Sequence, residues 1–390
     1  MTRKRDGSQP SHTASQYRSE VTMVYHRITW LALILVGVLV GWLPGTPVGP
    51  NDASAQVMDD YTGYPPFMSN SVPPNILLLM DNSGSMNGVA YETAFDTTKI
   101  YFGLFDPYEC YLYASSRFQP NPAVNPTTLG TCGASYPWNG NLLNYVSMRR
   151  VDIVKYVMVG GTCAVARNAD GSCTRVLAQN SFAACCQDQT QSVTVAQASG
   201  RMPASITPGS GNVYFHMMGS VAALKGTFCV DDESTQQTTS DCNDGGTYIE
   251  TIWQIQVDRP EKVTGVIQQV GSRARFGLME FKGAGDGGKV LADVGSSTAS
   301  LITAVETTVP STWTPLAESL YEAVRYFAQI APAYTNTDYS YTDVTRDPYY
   351  FTSPQWASSS QYVQCCKSFV IVFTDGEPTQ DLNIPAVLQD

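Results

Sequence analysis

The sequence predicts an α/β fold with a doubly wound, mostly parallel sheet, and two apolar runs carry this prediction. Residues 75–80 read NILLLM and residues 369–373 read FVIVF. Apolar residues at consecutive positions are typical of strands buried on both faces, as in parallel sheets. Each run ends close to an aspartate, Asp81 or Asp375. Because open α/β sheets bind ligands at the carboxyl ends of their strands, these two aspartates are candidate site residues.

Further helices and strands are predicted around a long interruption. Apolar residues recur at helical spacing in residues 141–159, and Gly160-Gly161 provides a stop. Two strand-like segments flank a glycine-rich turn and form a predicted hairpin. These strands are residues 274–281 and 289–294, and the other predicted helices are residues 260–270 (opened by Asp258), 296–307 and 314–330. This order is the one expected for an α/β sheet with a short antiparallel edge strand.

Oxygen ligands follow the first apolar run at regular spacing. Asp81, Ser83 and Ser85 place one carboxylate and two hydroxyls two residues apart. Thr314 offers another hydroxyl just before a predicted helix, with Pro315 at a favourable first helical position. Hard oxygen ligands of this kind suit a small, hard cation such as Mg²⁺. We therefore predict a divalent cation site; a simple turn that uses the same residue types is the alternative.

These segments together resemble the von Willebrand factor A domain and its metal-ion-dependent adhesion site, Asp-x-Ser-x-Ser … Thr … Asp. The resemblance implies that Asp81, Ser83, Ser85, Thr314 and Asp375 form the site. It also implies that one coordination position is left for an acidic group on a partner. The cation would be Mg²⁺ or Mn²⁺, and Ca²⁺ remains open.

The resemblance also divides the chain. Residues 56–75 are a linker, and residues 76–390 are the A domain. A Cys-rich insertion at 103–250 and a loop at 331–364 interrupt that domain, and the composition of the insertion predicts a partly irregular structure. A complete A domain continues beyond Asp375 with a further helix, strand and helix. We therefore expect this chain to be incomplete at its C-terminus.

The first 55 residues are predicted to be a signal peptide. An uncharged apolar stretch at 28–43 is short for a spanning helix and suits a signal-peptide core. Ala53-Ser54-Ala55 provides a cleavage pattern, and Met23 is an alternative start. An uncleaved membrane anchor is the competing interpretation. Either way, we expect an exported protein at the bacterial cell surface or pilus, in the periplasm or at the outer membrane.

Phrases beside the predicted site resemble the N-terminal module of PilY/PilC-type pilus-tip proteins. They are residues 60–67, 73–86, 140–145, 148–152 and 366–378. The resemblance implies a secreted protein of type IV pilus biogenesis that acts in assembly and adhesion, with pilus components or a surface protein as partner. Family members usually carry a C-terminal β-propeller with a calcium site, which this sequence does not include.

Two other functions use the same site. One is a secreted A-domain subunit of an enzyme or surface complex without pili, and the other is a surface adhesin module. Catalysis by this chain itself is not expected, because no G-x-S-x-G elbow surrounds Ser83 or Ser85 and a triad would have to recruit His216.

Net charge and composition argue against nucleic acid and nucleotide ligands. The formal net charge is −11, which disfavours binding to a polyanion. Residues 283–289 fit part of a phosphate-binding loop, but Val290 follows where Ser or Thr is needed. Residues 231–233 and 241–246 are acidic enough to suggest Ca²⁺, yet their spacing fits no EF-hand loop, and a solvated acidic loop explains them better.

An even number of cysteines in an exported chain predicts disulfides. The ten candidates are Cys110, Cys132, Cys163, Cys173, Cys185, Cys186, Cys229, Cys242, Cys365 and Cys366. Local pairing would join Cys110 to Cys132, Cys163 to Cys173 and Cys229 to Cys242. A link from the Cys185-Cys186 pair to the Cys365-Cys366 pair would tie the insertion to the last apolar run. A zinc site is a weaker alternative, because the chain has no C-x-x-C pair.

Overall fold

The computed structural model describes most of the chain after residue 71. The described residues are 72–123, 129–183, 185–234, 252–282, 286–353, 358–364, 366–376, 378–379 and 381–388. The predicted signal peptide and most of the linker lie outside these ranges. Within them, no helix is long and apolar enough to cross a membrane.

The described residues form an α/β structure in which strands outnumber helices. The strands are β1 (Asn75–Met80), β2 (Cys110–Ala114), β3 (Arg117–Pro120), β4 (Trp138–Asn139), β5 (Thr162–Cys163), β6 (Cys173–Leu177), β7 (Gln189–Thr194), β8 (Asn212–Met218), β9 (Thr227–Asp231), β10 (Ile252–Gln254), β11 (Gln256–Val263), β12 (Arg275–Phe281), β13 (Gly288–Ala292), β14 (Tyr350–Phe351), β15 (Gln361–Tyr362) and β16 (Ser368–Phe373). The α-helices are α1 (Gly140–Ser147), α2 (Arg150–Val159), α3 (Val195–Ala198), α4 (Val266–Val270), α5 (Thr298–Thr307) and α6 (Leu316–Phe327). The α/β class predicted from the sequence is therefore confirmed.

A central sheet in the order β13-β12-β1-β16 organises the fold. Strand β1 pairs in parallel with both β12 and β16, and β13 pairs antiparallel with β12. Leu78 and Met80 pack on one face with residues of α2, α4 and α5, whereas Leu77 and Leu79 pack on the other face with α6. Burial of one such side chain contributes about 1.5–3 kcal/mol to stability. Helices cover both faces of β1, and this is why its residues are consistently apolar.

The single helix predicted for residues 141–159 is wrong, because the chain forms two helices there. Met148 and Arg149 are extended between α1 and α2. Their backbone is engaged elsewhere: Ala90 N donates to Met148 O at 2.9 Å, and Arg150 N donates to Gly88 O at 3.1 Å. The apolar stripe accordingly divides between two cores. Gly160 then ends α2 in the left-handed conformation, as predicted.

The helix predicted for residues 260–270 is also wrong over its first half. Residues up to Val263 belong to β11, which pairs with β6, and only Val266–Val270 is helical. Asp258 does not cap a helix. Its carboxylate accepts from Arg117 Nε and Arg175 Nε, each at 2.6 Å, so the pairing of the strands decides the local structure.

The inserted segment (residues 103–250) carries more regular structure than its composition predicts. Its strands enter two sheets, in the orders β4-β2-β3-β11-β6-β5 and β10-β9-β8-β7. Aromatic side chains fill the space between them: the ring centroids of Trp138 and Trp253 lie 5.2 Å apart, and those of Phe228 and Trp253 lie 5.6 Å apart. Aromatic residues bury large areas, so this segment has a core of its own beside the central sheet.

Disulfides join Cys110 to Cys132 and Cys163 to Cys173, as the local pairing predicted. Cys229 is also disulfide-bonded, and Cys242 lies outside the described residues.

The predicted link between the two adjacent cysteine pairs is wrong for the described cysteines. Cys185 and Cys186 are exposed thiols. Cys366 is buried before the amino end of β16, where its Sγ donates to Pro73 O at 3.1 Å. Cys185 O accepts from Asn87 Nδ2 at 3.0 Å, beyond the carboxyl end of β1, whereas Cys366 lies before the amino end of the parallel strand β16, and this separation explains why no bond forms.

Candidate functional site

The site lies where β1 and β16 end side by side. Met80 is in register with Phe373, and Asp81 N donates to Phe373 O at 2.9 Å. The parallel pairing therefore brings Asp81 next to Thr374 and Asp375 at the carboxyl edge of the central sheet. This is the position at which the sequence predicted that the two aspartates would meet.

A chain of hydrogen bonds connects the predicted side chains. Asp81 Oδ1 accepts from Ser83 N at 2.7 Å, and the hydroxyls of Ser83 and Ser85 are 2.9 Å apart. Ser85 Oγ then donates to Asp375 Oδ1 at 2.9 Å. On the other side, Thr374 Oγ1 donates to Asp81 Oδ2 at 2.7 Å. Two carboxylates and three hydroxyls are thus gathered at one place from residues that are almost three hundred positions apart.

Thr314 lies in the loop that precedes α6, and its backbone bonds to Leu316 and to Thr379. Thr314 N donates to Thr379 Oγ1 at 3.0 Å, and Thr379 N donates to Thr314 O at 2.9 Å. Thr312 attaches the loop to the site, because its carbonyl accepts from Gly84 N at 3.0 Å and its residue forms a parallel bridge with Ser83. Thr314 follows two residues after Thr312, so this attachment brings its loop to the site.

The electrostatic setting of Asp81 favours a positive partner. Its side chain is fully buried, and burial raises the pKa of its carboxyl above the ordinary value. Hydrogen bonds from Ser83 and Thr374 act in the opposite direction, and the nearby charge of Asp375 adds to the increase. A buried carboxylate is costly unless a charge or donors compensate it, so a cation bound here would relieve that cost.

The donor set fits a hard cation in its chemistry. Carboxylate and hydroxyl oxygens are the ligands that Mg²⁺, Mn²⁺ and Ca²⁺ accept, whereas softer metals prefer nitrogen and sulfur. In the described part of the chain, no group of three or more His, Cys, Asp or Glu side chains is arranged to hold a metal. The present cluster contains two carboxylates, and hydroxyls provide its other oxygens.

Three residues at the site were not identified from the sequence. Thr374 bonds to Asp81, Arg150 forms an ion pair with Asp375, and Glu92 forms an ion pair with Arg150. Thr374 could have been found, because it directly precedes Asp375 at the end of an apolar run. Arg150 and Glu92 carry no local signal, since they come from the start of α2 and from a loop.

Other exposed groups surround the site. The side chain of Trp313 is 57% exposed in the loop that holds Thr314. The thiols of Cys185 and Cys186 are exposed on the other side, and Asn87 Nδ2 donates to Cys185 O at 3.0 Å. The hydrogen bond with Cys185 raises the pKa of the Cys186 thiol to about 11, which keeps this thiol protonated at neutral pH.

The other residues that were considered from the sequence lie in cores or strands, away from the cluster's hydrogen bonds. His216 is fully buried, with Thr190 Oγ1 2.9 Å from Nδ1 and Glu233 O 3.1 Å from Nε2. Asp231 ends β9 inside the same core. Lys289 lies in β13, so the glycine-rich segment before it connects two strands of a hairpin.

Fold and site together define an α/β protein with an oxygen-rich, two-carboxylate cluster at the carboxyl edge of a central sheet. Residues 92–241 match a protein-family model described as the PilY1 homolog, small alpha/beta domain. This match supports a protein of the PilY1 type, related to type IV pili, and the disulfides are compatible with export. No match was found among curated proteins or among solved structures. The matched segment contains Glu92 and Arg150, whereas Asp81 and Asp375 lie outside it.

Proposed function

We propose that this chain is the exported, metal-dependent adhesion module of a type IV pilus biogenesis or tip protein, and that it binds its partner through a divalent cation. The observation that supports this proposal most directly is the hydrogen-bonded chain from Asp81 through Ser83 and Ser85 to Asp375. The proposed location is the cell surface or pilus, in line with the match of residues 92–241.

The proposal includes a von Willebrand factor A domain for the central sheet and its helices. Three features support it: the parallel order β12-β1-β16, the antiparallel edge strand β13, and helices on both faces of the sheet. The position of the site at the carboxyl ends of β1 and β16 also agrees with the general location of ligand sites in such sheets.

Five side chains of the protein would hold the cation. Asp81 and Asp375 supply the negative charge, and the serine hydroxyls supply neutral oxygens. Thr314 is the fifth proposed ligand, in a loop that Thr312 attaches to Gly84. When bound, Mg²⁺ or Mn²⁺ would supply a site for an acidic group of the partner. The proposed role is binding, and no residue is assigned to catalysis.

Thermal unfolding tests the cation site. We expect the oxidised protein to melt at a higher temperature with Mg²⁺ or Mn²⁺ than with EDTA. A ligand that binds only the folded state adds about 2.7 kcal/mol at a concentration one hundred times its Kd. Asp81→Ala should remove the difference between cation and EDTA, because it removes a buried carboxylate of the site.

Asp232→Ala is the matched control, since Asp232 is an exposed aspartate that directly follows β9, a strand of another sheet. It should keep the full cation effect. Equal melting temperatures for the unmodified protein in Mn²⁺ and in EDTA, at Mn²⁺ concentrations into the millimolar range, would contradict the proposed cation site.

A further inference from the structure

Arg150 places a positive group beside Asp375, in addition to the proposed cation. It is the first residue of α2, and its guanidinium forms an ion pair with the Asp375 carboxylate through Nη1. The same nitrogen lies 3.4 Å from Ser85 O. Asp375 therefore has two partners: Ser85 Oγ on Oδ1 and Arg150 on Oδ2. The Arg150 side chain is 27% exposed, so part of it is accessible from solvent.

The other terminal nitrogen of this guanidinium already pairs with an acid. Arg150 Nη2 forms an ion pair with Glu92, whose side chain is 70% exposed. An ion pair that has one largely solvated member contributes little to stability, because water and salt screen it. The Glu92 carboxylate is thus weakly held at the point where an acidic group from outside would approach.

We propose that Arg150 is a second recognition group for an acidic peptide segment, and that Glu92 is the internal acid which this segment displaces. This inference rests on the proposed function, because it assigns the partner class and a specificity-determining residue to the same site. A guanidinium binds a carboxylate through two parallel N–H groups, which adds orientation to the attraction that a bound cation provides.

The negative net charge of the chain explains why an acidic peptide would need a local positive group. At a formal charge of −11, the protein as a whole repels an acidic peptide. Binding of such a peptide therefore requires a local positive site. Within the described residues around the cluster, the guanidinium of Arg150 is the positive group that directly contacts a proposed cation ligand.

Fluorescence anisotropy with labelled hexaglutamate tests the inference on the full chain. Hexaglutamine is the uncharged control peptide, and each titration is made with Mn²⁺ and with EDTA. With Mn²⁺ present, Arg150→Gln should weaken hexaglutamate binding by about tenfold or more, because a charged hydrogen-bonding partner is lost. The affinity of Arg150→Lys for hexaglutamate should fall between those of the unmodified protein and Arg150→Gln, since lysine keeps the positive charge but lacks the two parallel N–H groups of the guanidinium.

Glu92→Gln should act in the opposite direction. Removal of the internal competitor should tighten hexaglutamate binding by about two- to fivefold, the range expected for a largely exposed ion pair. This side chain is exposed, so the substitution tests the inference even if Arg150→Gln fails to fold. Arg117→Gln is the matched control, because Arg117 is similarly exposed but pairs with Asp258 in another sheet. It should leave hexaglutamate binding unchanged.

Isothermal titration with Mn²⁺ alone separates this inference from the proposed function. Arg150→Gln should bind Mn²⁺ at least as tightly as the unmodified protein, because a positive charge next to Asp375 is removed. If hexaglutamate binding is unchanged in Arg150→Gln and in Glu92→Gln while Mn²⁺ binding is intact, the inference is overturned alone. Mn²⁺ binding without any hexaglutamate binding overturns it as well. If the unmodified protein does not bind Mn²⁺, the proposed function fails and the inference fails with it.

Discussion

Thr374 orients Asp81, a proposed ligand of the cation site. Its hydroxyl donates to Asp81 Oδ2 at 2.7 Å, which fixes the orientation of a carboxylate that also accepts from Ser83 N. Groups that orient metal ligands in this way strongly affect affinity, because the ligand must otherwise be ordered when the metal binds. At this scale, the role of Thr374 follows from one hydrogen bond.

We therefore predict that Thr374→Val lowers the affinity for Mn²⁺ by about 10- to 100-fold, the range observed for such orienting groups. Valine has a similar shape and no hydroxyl, so the loss isolates the hydrogen bond. Thr374→Ser keeps the hydroxyl and should retain nearly full affinity. Isothermal titration measures both, and equal affinity for the valine variant would show that Asp81 is held in place without Thr374.

Spacing along the chain identified part of the site and could not identify the rest. Asp81, Ser83 and Ser85 fall within one turn after a strand, so their proximity follows from local geometry. Asp375 was found because it follows a second apolar run, residues 369–373. The contact between Arg150 and Asp375 spans 225 residues and depends on how α2 packs, which no local pattern records.

At the scale of elements, the errors have one common cause. Residues 141–159 have helical periodicity, but the backbone at Met148 is paired with Ala90, which interrupts the helix. Residues 260–263 were predicted to begin a helix, but they belong to β11, which pairs with β6. Tertiary pairing overrides local propensity in both places. Strand β1 was predictable, because consecutive apolar residues are required wherever both faces are covered. The same pattern in residues 369–373 correctly predicted a strand, but its predicted burial on both faces is wrong, because β16 lies at the edge of the described sheet and Phe369 and Ile371 are exposed.

The close approach of α2 to the segment before α4 gives a prediction for Gly265. A Cβ atom there would lie 2.2 Å from Met158 C and Val159 N and 2.3 Å from Met158 O. These are backbone atoms, so the two elements would have to separate. We expect Gly265→Ala to lower the free energy of unfolding by about 1–3 kcal/mol, as overpacking does.

Urea unfolding followed by circular dichroism measures this loss. Gly133→Ala is the control, since an added Cβ at residue 133 meets nothing within 4 Å, and it should leave stability nearly unchanged. An equal effect of both substitutions would indicate that helix and loop propensity, rather than the contact with α2, determines the result.

At the scale of the whole molecule, separate cores lie beside one another. The central sheet packs against its helices, while the inserted segment packs around aromatic side chains and contains the disulfides Cys110–Cys132 and Cys163–Cys173. The sequence indicated the cysteines but not this core, because its short strands alternate irregularly and bury their aromatic residues through pairings that are distant in sequence.

We predict that the double substitution Cys110→Ser and Cys132→Ser lowers the free energy of unfolding by about 3 kcal/mol. The bond closes a loop of 22 residues, and the chain-entropy estimate for a loop of this size is of that order. Tryptophan fluorescence during urea unfolding measures it, since Trp138 and Trp253 lie in this core. The matched pair Cys185→Ser and Cys186→Ser, which removes exposed thiols, should change stability by less than about 0.5 kcal/mol. Similar losses for both pairs would contradict a stabilising role of the bond.

The hydrogen bond from Ser85 to Asp375 joins residues 290 positions apart, and this distance has a consequence during translation. A nascent chain that has not yet been extended through β16 contains Asp81 but not the second carboxylate. Strand β1 therefore lacks its neighbour on one side until residues 368–373 have been made. Such non-local pairing forms slowly, and until it forms the chain exposes apolar, aggregation-prone surface. Any ligand that needs both aspartates can bind only after β16 has paired with β1, so binding of such a ligand reports that this pairing is complete.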